Sequence, residues 1–321
     1  MAFPYAEIES FTHNHIIPNI KDNIYLSNKL CNRLIKNNRL VIDGGIQIER
    51  PVEFEKADGG THDGKFKVVG YQEKKLVDKA ILQWKYLEAH QTITKDDEVK
   101  NAGGAKAIDL INFKWSSMKK KLVDLIGDGI YSANADGAEG ITGLRLMIGI
   151  ANTYAGIDQS TYTDWWYSQV DSTTSTLTLP KMEELYVAIA NASSGQIDTA
   201  DGGEPTDIVT TSSVFGDFWK LTQPQQQFSS IGDQAKVGWT SMLFNGKPVY
   251  FDSKCTASHM FMLNLNDIQM FISEKCNFEY MPWTAVPNQP FARLANVKLA
   301  LNMIGNPKVN GMMSGLSSRV S

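Results

Sequence analysis

Ile108, Ile111, Trp115, Met118, Leu122 and Leu125 recur at spacings of three and four, and this stripe constrains the fold more than any other stretch of the chain. Only a helix brings such positions onto one face, because each turn takes about 3.6 residues. Lys114, Lys119, Lys120, Lys121 and Asp124 lie mostly off the stripe. Gly103-Gly104 precedes it, and Gly127 is the expected stop, since glycine just past the last periodic residue favours a helix end. Some 20 residues at about 1.5 Å each make a rod of roughly 30 Å. One side of that rod must be covered. The lysine run 119–121 could touch phosphate, but a solvated helix face is the simpler reading.

Upstream the chain changes character twice. Residues 1–40 are Asn-rich, with Ile16, Ile17, Ile20, Ile24, Leu26, Leu30, Leu34 and Ile35 scattered among polar residues. Positions 26, 30 and 34 fit a short helical stripe. The rest reads as an arm that needs a partner to bury its isoleucines, or else as a segment tied to its own domain. Residues 43–75 read as a long hairpin. Ile46–Phe54 alternates in places, Lys56–Gly64 is a turn-forming glycine and aspartate cluster, and Lys65–Tyr71 is a second strand. An isolated hairpin is marginal in water, so one this long is expected to lie on another subunit. His62 near its tip reads as a solvated loop residue.

Residues 79–93 read as a strand, because Leu82, Trp84 and Tyr86 share a face only when extended. Thr94-Lys-Asp-Asp97 resembles a helix cap with acids in the first turn, which makes Asp96, Asp97 and Glu98 a solvated helix start rather than a metal or acid–base site. Beyond Gly140 short strands and helices mix. Leu177–Ala190 is a helix with Pro180 near its first turn, Asp207–Thr211 a strand, and Ser213–Leu221 a helix. Asn245-Gly246 between Trp239–Leu243 and Lys247–Asp252 is a strong hairpin signal. Met260–Asn266 leads into another strand, Pro282, Pro287 and Pro290 mark an irregular crossing, and Ala295–Ile304 alternates as a strand.

Composition excludes several function classes. The 321 residues are 42% hydrophobic and 21% charged, a globular balance. A formal charge of −4 argues against a dedicated nucleic-acid binder, although a container for DNA needs no basic excess. Cys31, Cys255 and Cys276 are widely spaced and form no Cys-x-x-Cys pair, so they read as free thiols of a cytosolic protein. The first residues lack a basic and then apolar signal sequence, and no run of about 18 apolar residues suggests a membrane span. Walker A, Gly-x-Ser-x-Gly and His-Glu-x-x-His motifs are absent from the sequence. His13-Asn-His15 is the one close histidine pair, and it sits in the arm without an acidic cluster. His90 and His259 read as structural histidines. No catalytic, cofactor-binding or metal-binding residue is assigned.

The segment Thr153–Trp166 gathers Tyr154, Tyr162, Trp165 and Trp166 around Gly156 without a nucleophile–base pair. Such aromatic density suits an assembly surface or a buried interdomain seam, the ordinary alternative being an aromatic core loop. Its stretch Gly156-Ile-Asp-Gln-Ser-Thr-Tyr162, followed shortly by Trp, resembles one carried by tailed-phage major capsid proteins of the Hong Kong 97 type. Phe244-Asn-Gly-Lys-Pro-Val249 and Met262-Leu-Asn264 are weaker matches to the same family. The order of elements (polar arm, long hairpin, long amphipathic helix, mixed middle, terminal strand) resembles that coat protein from end to end.

The resemblance implies an α+β, Hong Kong 97-like capsid fold. Its parts would be an N-terminal arm at 1–42, an extended β-hairpin loop at 43–75, and a peripheral domain at 76–135 with the spine helix at 105–127. A mainly axial domain at 136–289 and a peripheral C-terminal strand at 290–321 would complete it. It implies a non-enzymatic major capsid protein that self-assembles into hexamers and pentamers of an icosahedral shell around double-stranded DNA. Its partners would be other copies of itself, a separate scaffolding protein, a portal, and packaged DNA contacted non-specifically; no membrane and no cofactor are implied. The protein would reside in the virion capsid after assembly in the bacterial host cytoplasm. A cleaved scaffolding region like that of the best-known member is not visible before the arm. Some shells of the family join a lysine on the hairpin to a neighbour's asparagine; Lys56, Lys65 and Lys67 are available, but an exposed hairpin carries lysines anyway, and no crosslink is assigned. Two rival readings are an encapsulin-like nanocompartment and an α/β enzyme or ligand-binding module with dispersed site residues.

Overall fold

A computed structural model describes residues 28–37, 40–54, 75–100, 104–172, 175–193, 203–222, 242–286 and 289–317. Its helices are α1 (Lys29–Lys36), α2 (Lys95–Lys100), α3 (Gly104–Ile130), α4 (Leu144–Met147), α5 (Leu179–Ser193) and α6 (Ser212–Thr222). The strands are β1 (Leu40–Asp43), β2 (Gln47–Glu53), β3 (Val77–Gln83), β4 (Lys85–Thr94), β5 (Thr153–Tyr154), β6 (Ile157–Asp158), β7 (Gln169–Asp171) and β8 (Asp207–Thr210). They continue as β9 (Met242–Phe244), β10 (Lys247–Phe251), β11 (Met260–Leu263), β12 (Gln269–Ser273), β13 (Glu279–Val286), β14 (Gln289–Ile304) and β15 (Gly311–Met313). Two larger sheets and two strand pairs result: β1-β12-β14-β13 with β4 also on β14, β7-β15-β11-β8-β10-β9, β2-β3, and β5-β6.

The striped helix is α3. Ile111, Trp115, Met118, Leu122, Ile126 and Ile130 are each no more than 2% exposed. They meet the inward residues of β4, whose pattern of buried and exposed positions alternates from Lys85 through Glu88 and on to Ile93. Trp115 also packs on Tyr280 of β13 with ring centroids 5.3 Å apart. The helix does not stop at Gly127 but runs through it to Ile130. A Cβ on Gly127 would come within 2.7 Å of Lys254 Cγ and 2.8 Å of Asn28 Oδ1. This glycine is there for close approach, and it offers no helix stop.

β14 is the centre of the first sheet rather than a simple alternating strand. Leu301 pairs with Ile272 on one edge and Lys85 on the other, and Val297 with Tyr280 and Ala89. From Leu299 to Ile304 every residue is buried, because both faces are covered. The irregular crossing expected at the prolines is instead the long β13–β14 hairpin. Pro282 falls where the register shifts between Met281 and Thr284 on an edge strand. There its missing N–H costs no ladder bond.

In the second sheet, β8 and β11 are buried at every position. Ile208, Met260 and Met262 pack with Met182, Leu185 and Ile189 of α5 and with Val214 and Phe218 of α6. Val209, Phe261 and Leu263 face the main core. Asn245 (φ 47°) and Gly246 (φ 76°) make the tight β9–β10 turn that their sequence foretells. The Met260–Asn266 stretch is itself strand as far as Leu263.

The chain crosses between the two sheets at 264–268 and again at 305–310, so sheet membership does not follow one cut at 289/290. β12 and β13 lie with β14, and β15 lies with β11. Buried side chains tie these crossings together: Asn310 Oδ1 accepts from Asn264 N at 2.9 Å, and its Nδ2 donates to Asn306 O at 2.8 Å.

Gly143 and Gly216 make opposite predictions. A Cβ at Gly143 would lie 2.5 Å from Gly129 O, Ser132 N and Ser132 O, whereas at Gly216, inside α6, it meets nothing within 4 Å. Gly143→Ala should lose about 1–3 kcal/mol or more, since backbone must move. Gly216→Ala should gain about 0.5–1 kcal/mol from helix propensity. Thermal melts of the two variants should shift in opposite directions.

Candidate assembly interface

Ionisable side chains in the described structure serve packing. His259 Nδ1 lies 2.6 Å from Ala257 O, its ring stacks on Phe261 with centroids 5.9 Å apart, and burial holds its pKa below the ordinary value. His90 is exposed on β4; His13, His15 and His62 lie outside the described residues. Thr94 Oγ1 accepts from Asp97 N at 3.3 Å while Asp97 Oδ2 accepts from Thr94 N at 3.4 Å, a reciprocal cap on α2. Among the described residues no group of three His, Cys, Asp or Glu side chains could hold a metal. An open groove of about 710 Å³ between the start of α5, the end of α6 and the β9–β10 turn has Glu183 as its one ionisable lining residue. It offers no convergent acid, base and nucleophile.

The aromatic segment turns out to be a seam. Tyr154 and Trp166 are fully buried, Trp165 nearly so, and Tyr162 is 45% exposed. Tyr154 Oη donates to Met303 O at 3.4 Å and accepts from Gly305 N at 3.2 Å. Trp166 Nε1 donates to Tyr154 O at 3.1 Å. The polar handles of Tyr154 and Trp166 are therefore paired inside the core, as burial requires. Ala155 (φ 54°) and Gly156 (φ 77°) turn the chain between β5 and β6, and Gly156 N donates to Asp136 Oδ2 at 3.2 Å. Burial lifts the Asp136 carboxyl above the usual range against that bond. Lys85, 6% exposed, donates to the carbonyls of Asp136 and Ala138, both at 2.5 Å.

This seam seats the hairpin. β2 pairs with β3 from Gln47–Gln83 to Glu53–Val77. The second strand expected at 65–71 lies outside the described residues. Ile81 N donates to Ala155 O at 3.0 Å, Phe54 stacks on Trp165 at 5.1 Å, and Asn302 Nδ2 donates to Gln83 O at 2.9 Å. Arg50 is the strongest fixing point. One guanidinium nitrogen donates to Asp267 O at 2.9 Å and the other pairs with the Asp267 carboxylate, which also accepts from Asn306 N. Asp267 is 3% exposed, so a charge-assisted fork in low dielectric sets where the hairpin leaves the body.

The α1 helix belongs to the body. Leu30, Cys31 and Leu34 are buried to within 1%. Asn28 Nδ2 donates to Val123 O of α3 at 3.3 Å, Lys29 Nζ donates to Phe251 O of β10 at 2.7 Å, and Arg33 pairs with Asp207 of β8. β1 then adds to β12 in parallel. Within 1–42, then, the described part from Asn28 onward is tied to its own chain, because it carries a two-sided set of anchors.

Exposed large apolar side chains sit singly on several elements. Ile46 beside the hairpin is 96% exposed, Phe291 in the β13–β14 hairpin 74%, Phe113 on α3 71%, Tyr86 on β4 68% and Leu243 on β9 62%. Among the described residues, β9 and β13 lie at sheet edges.

Two expected outcomes follow. Asp267→Asn should leave the fold cooperative, yet backbone amides of 47–53 and 77–83 should exchange with deuterium at least about tenfold faster, as about 1.4 kcal/mol or more of anchoring is lost. Unchanged exchange would remove Arg50–Asp267 as the anchor. Burial pushes the thiols of Cys31 and Cys255 up to about 12, with Asp252 adding to it. Both should resist iodoacetamide in the native protein at pH 8, while half-buried Cys276 reacts first; mass spectrometry of the alkylated peptides reads the order.

No family model matches the chain, and no curated relative does. Solved structures do. The cyanophage A-1(L) capsid protein aligns with a TM-score of 0.62 at 18% identity, over 87% of this chain and 90% of that one. The capsid of a native GTA particle aligns at 0.59 and 12%, over 87% and 88%. The holo-SrpI encapsulin complex from Synechococcus elongatus aligns at 0.50 and 10%, over 89% and 87%. Identities this low carry the fold alone: the chain has the mixed helix-and-sheet fold of Hong Kong 97-like capsid proteins.

Proposed function

We propose that the chain is the major capsid protein of a tailed phage, which self-assembles into hexamers and pentamers of an icosahedral shell around double-stranded DNA. The observation that carries this is the extent of the likeness to the cyanophage capsid protein, 87% of this chain against 90% of that one.

On this reading the β14 sheet with α3 is the peripheral part, and the six-stranded sheet with α5 and α6 is the axial part. The β2–β3 pair is the base of the extended loop, and residues preceding Asn28 form the arm. Arm and hairpin are the principal contacts between subunits. A scaffolding protein, a portal and the packaged DNA are its other partners in the host cytoplasm, and the mature virion is its destination.

An encapsulin-like shell that encloses an enzyme is the second reading, favoured by the likeness to the encapsulin complex. The higher TM-score of the cyanophage capsid protein supports the phage reading over the encapsulin one.

Negative-stain electron microscopy of the protein expressed alone, with light scattering, tests both. Closed shells or rings of five and six subunits are expected; a monodisperse monomer or dimer that persists under crowding would overturn both shell readings. Co-purification of a cargo enzyme instead of a need for scaffold would move the assignment to the nanocompartment. A chain lacking residues 1–25 should fold, by circular dichroism, but form no closed shells. Normal shells from it would remove the arm from the list of contacts.

A further inference from the structure

We propose that the solvent face of α3 is a sequence-independent contact for the phosphate backbone of double-stranded nucleic acid, an assignment that rests on the capsid reading above. The helix turns its apolar stripe to β4 and β13, which leaves Phe113, Lys120 and Lys121 exposed and Lys114 and Lys119 half-exposed on the remaining surface. At about 100° and 1.5 Å per residue, Lys114 and Lys121 lie within about 20° of each other around the helix and about 10 Å apart along it. Lys120 projects between them and the far flank, where Lys119 sits. That axial spacing matches about three base-pair steps of duplex DNA at 3.4 Å each.

None of the four lysines forms an ion pair with a described residue. Lys254 reaches across from the β10–β11 connection to two acids of the same helix, Asp124 at 2.8 Å and Asp128 at 3.1 Å. A cation from outside the helix thus answers these two acids, and the helix carries five lysines against three acids on a chain whose formal charge is −4. The surface is also a convex rod. It offers a protein partner one aromatic anchor, Phe113, and no cleft to seat against, whereas tight protein interfaces cluster several anchors in pockets. Lysine ammonium groups on flexible stems suit a row of phosphates, which asks for charge more than for shape.

Contact with three or four phosphates fixes the expected strength. Affinity should fall with a slope of about −2.7 to −3.6 in log K against log salt, which is roughly a 40- to 150-fold loss between 50 and 200 mM. The test is fluorescence anisotropy of the full-length protein with two labelled DNA duplexes of unrelated sequence across that salt range. Lys114→Gln/Lys120→Gln/Lys121→Gln is compared with Lys75→Gln/Lys79→Gln/Lys298→Gln, which removes equal charge from lysines that are already paired. Equal binding of both duplexes, a loss of tenfold or more at 50 mM in the α3 variant with a slope flatter by about 2–3, and near-native binding by the control would support the assignment. No duplex binding at 50 mM, equal loss in both variants, or stronger competition by polyglutamate than by unlabelled duplex at equal charge would overturn it, the last in favour of an acidic protein partner. Microscopy of the same preparations keeps the two questions apart. Shells with no DNA affinity would sink this contact alone, and an absence of shells would sink the capsid reading whatever the anisotropy shows.

Discussion

A helix of 27 residues cannot leave one entire side to water, and the covering of α3 sets the positions of most other elements. Its buried side chains contribute about 1.5–3 kcal/mol each by removal from water. To receive them β4 must present every second residue inward, and β4 can stand there only because it pairs along ten residues of β14. β14 then carries β13 and β12 on its other edge, and β12 carries β1. The sheet is thus built outward from the surface that the helix needs.

The second sheet is attached through polar groups that have been given partners inside. Asp207, on β8, is desolvated enough to lift its carboxyl above the usual range, with Arg33 opposing the shift. Arg33 in turn lies over the Tyr250 ring at 4.9 Å, on β10. Because α1 also bonds to α3 at Val123, one short helix joins the long helix to two strands of the other sheet. A lone buried charge would destabilise the junction, but a paired one makes the geometry specific. The same logic holds at Lys85 with its two carbonyls and at Arg50 with Asp267. At these points ionisable groups hold elements in place.

How much of this the sequence disclosed depended on whether the signal was local. The α3 stripe was legible because a helix writes its own period into its own residues. So was the Asn245-Gly246 turn, where positive φ at both positions selects the residue types. β14 was legible as a strand but not as a centre, since burial on both faces erases the alternation that identifies one buried face. The partner of β2 was hidden for a related reason: pairing with Val77–Gln83 is a long-range fact, and nothing local separates that stretch from Lys65–Tyr71 as candidates. Gly127 misled because glycine serves two ends, a helix stop and a close approach, and only the positions of Lys254 and Asn28 tell which applies. Pro282 misled similarly, as an edge strand with a bulge tolerates what a central strand would not.

The aromatic segment holds the less obvious lesson. Tyr and Trp suit assembly surfaces and buried seams for the same reason, a large apolar body with one polar group, so composition alone leaves the choice open. The choice is made by whether those polar groups find partners within the chain. Tyr154 Oη meets both Met303 O and Gly305 N, and Trp166 Nε1 meets Tyr154 O, so these two side chains have nothing left to offer a neighbouring subunit. What the segment does offer is backbone: Ala155 O takes Ile81 N, and Trp165 carries Phe54. The seam therefore holds β2 and β3 against the core, where Ile48, Val52, Ala80 and Leu82 are buried with it.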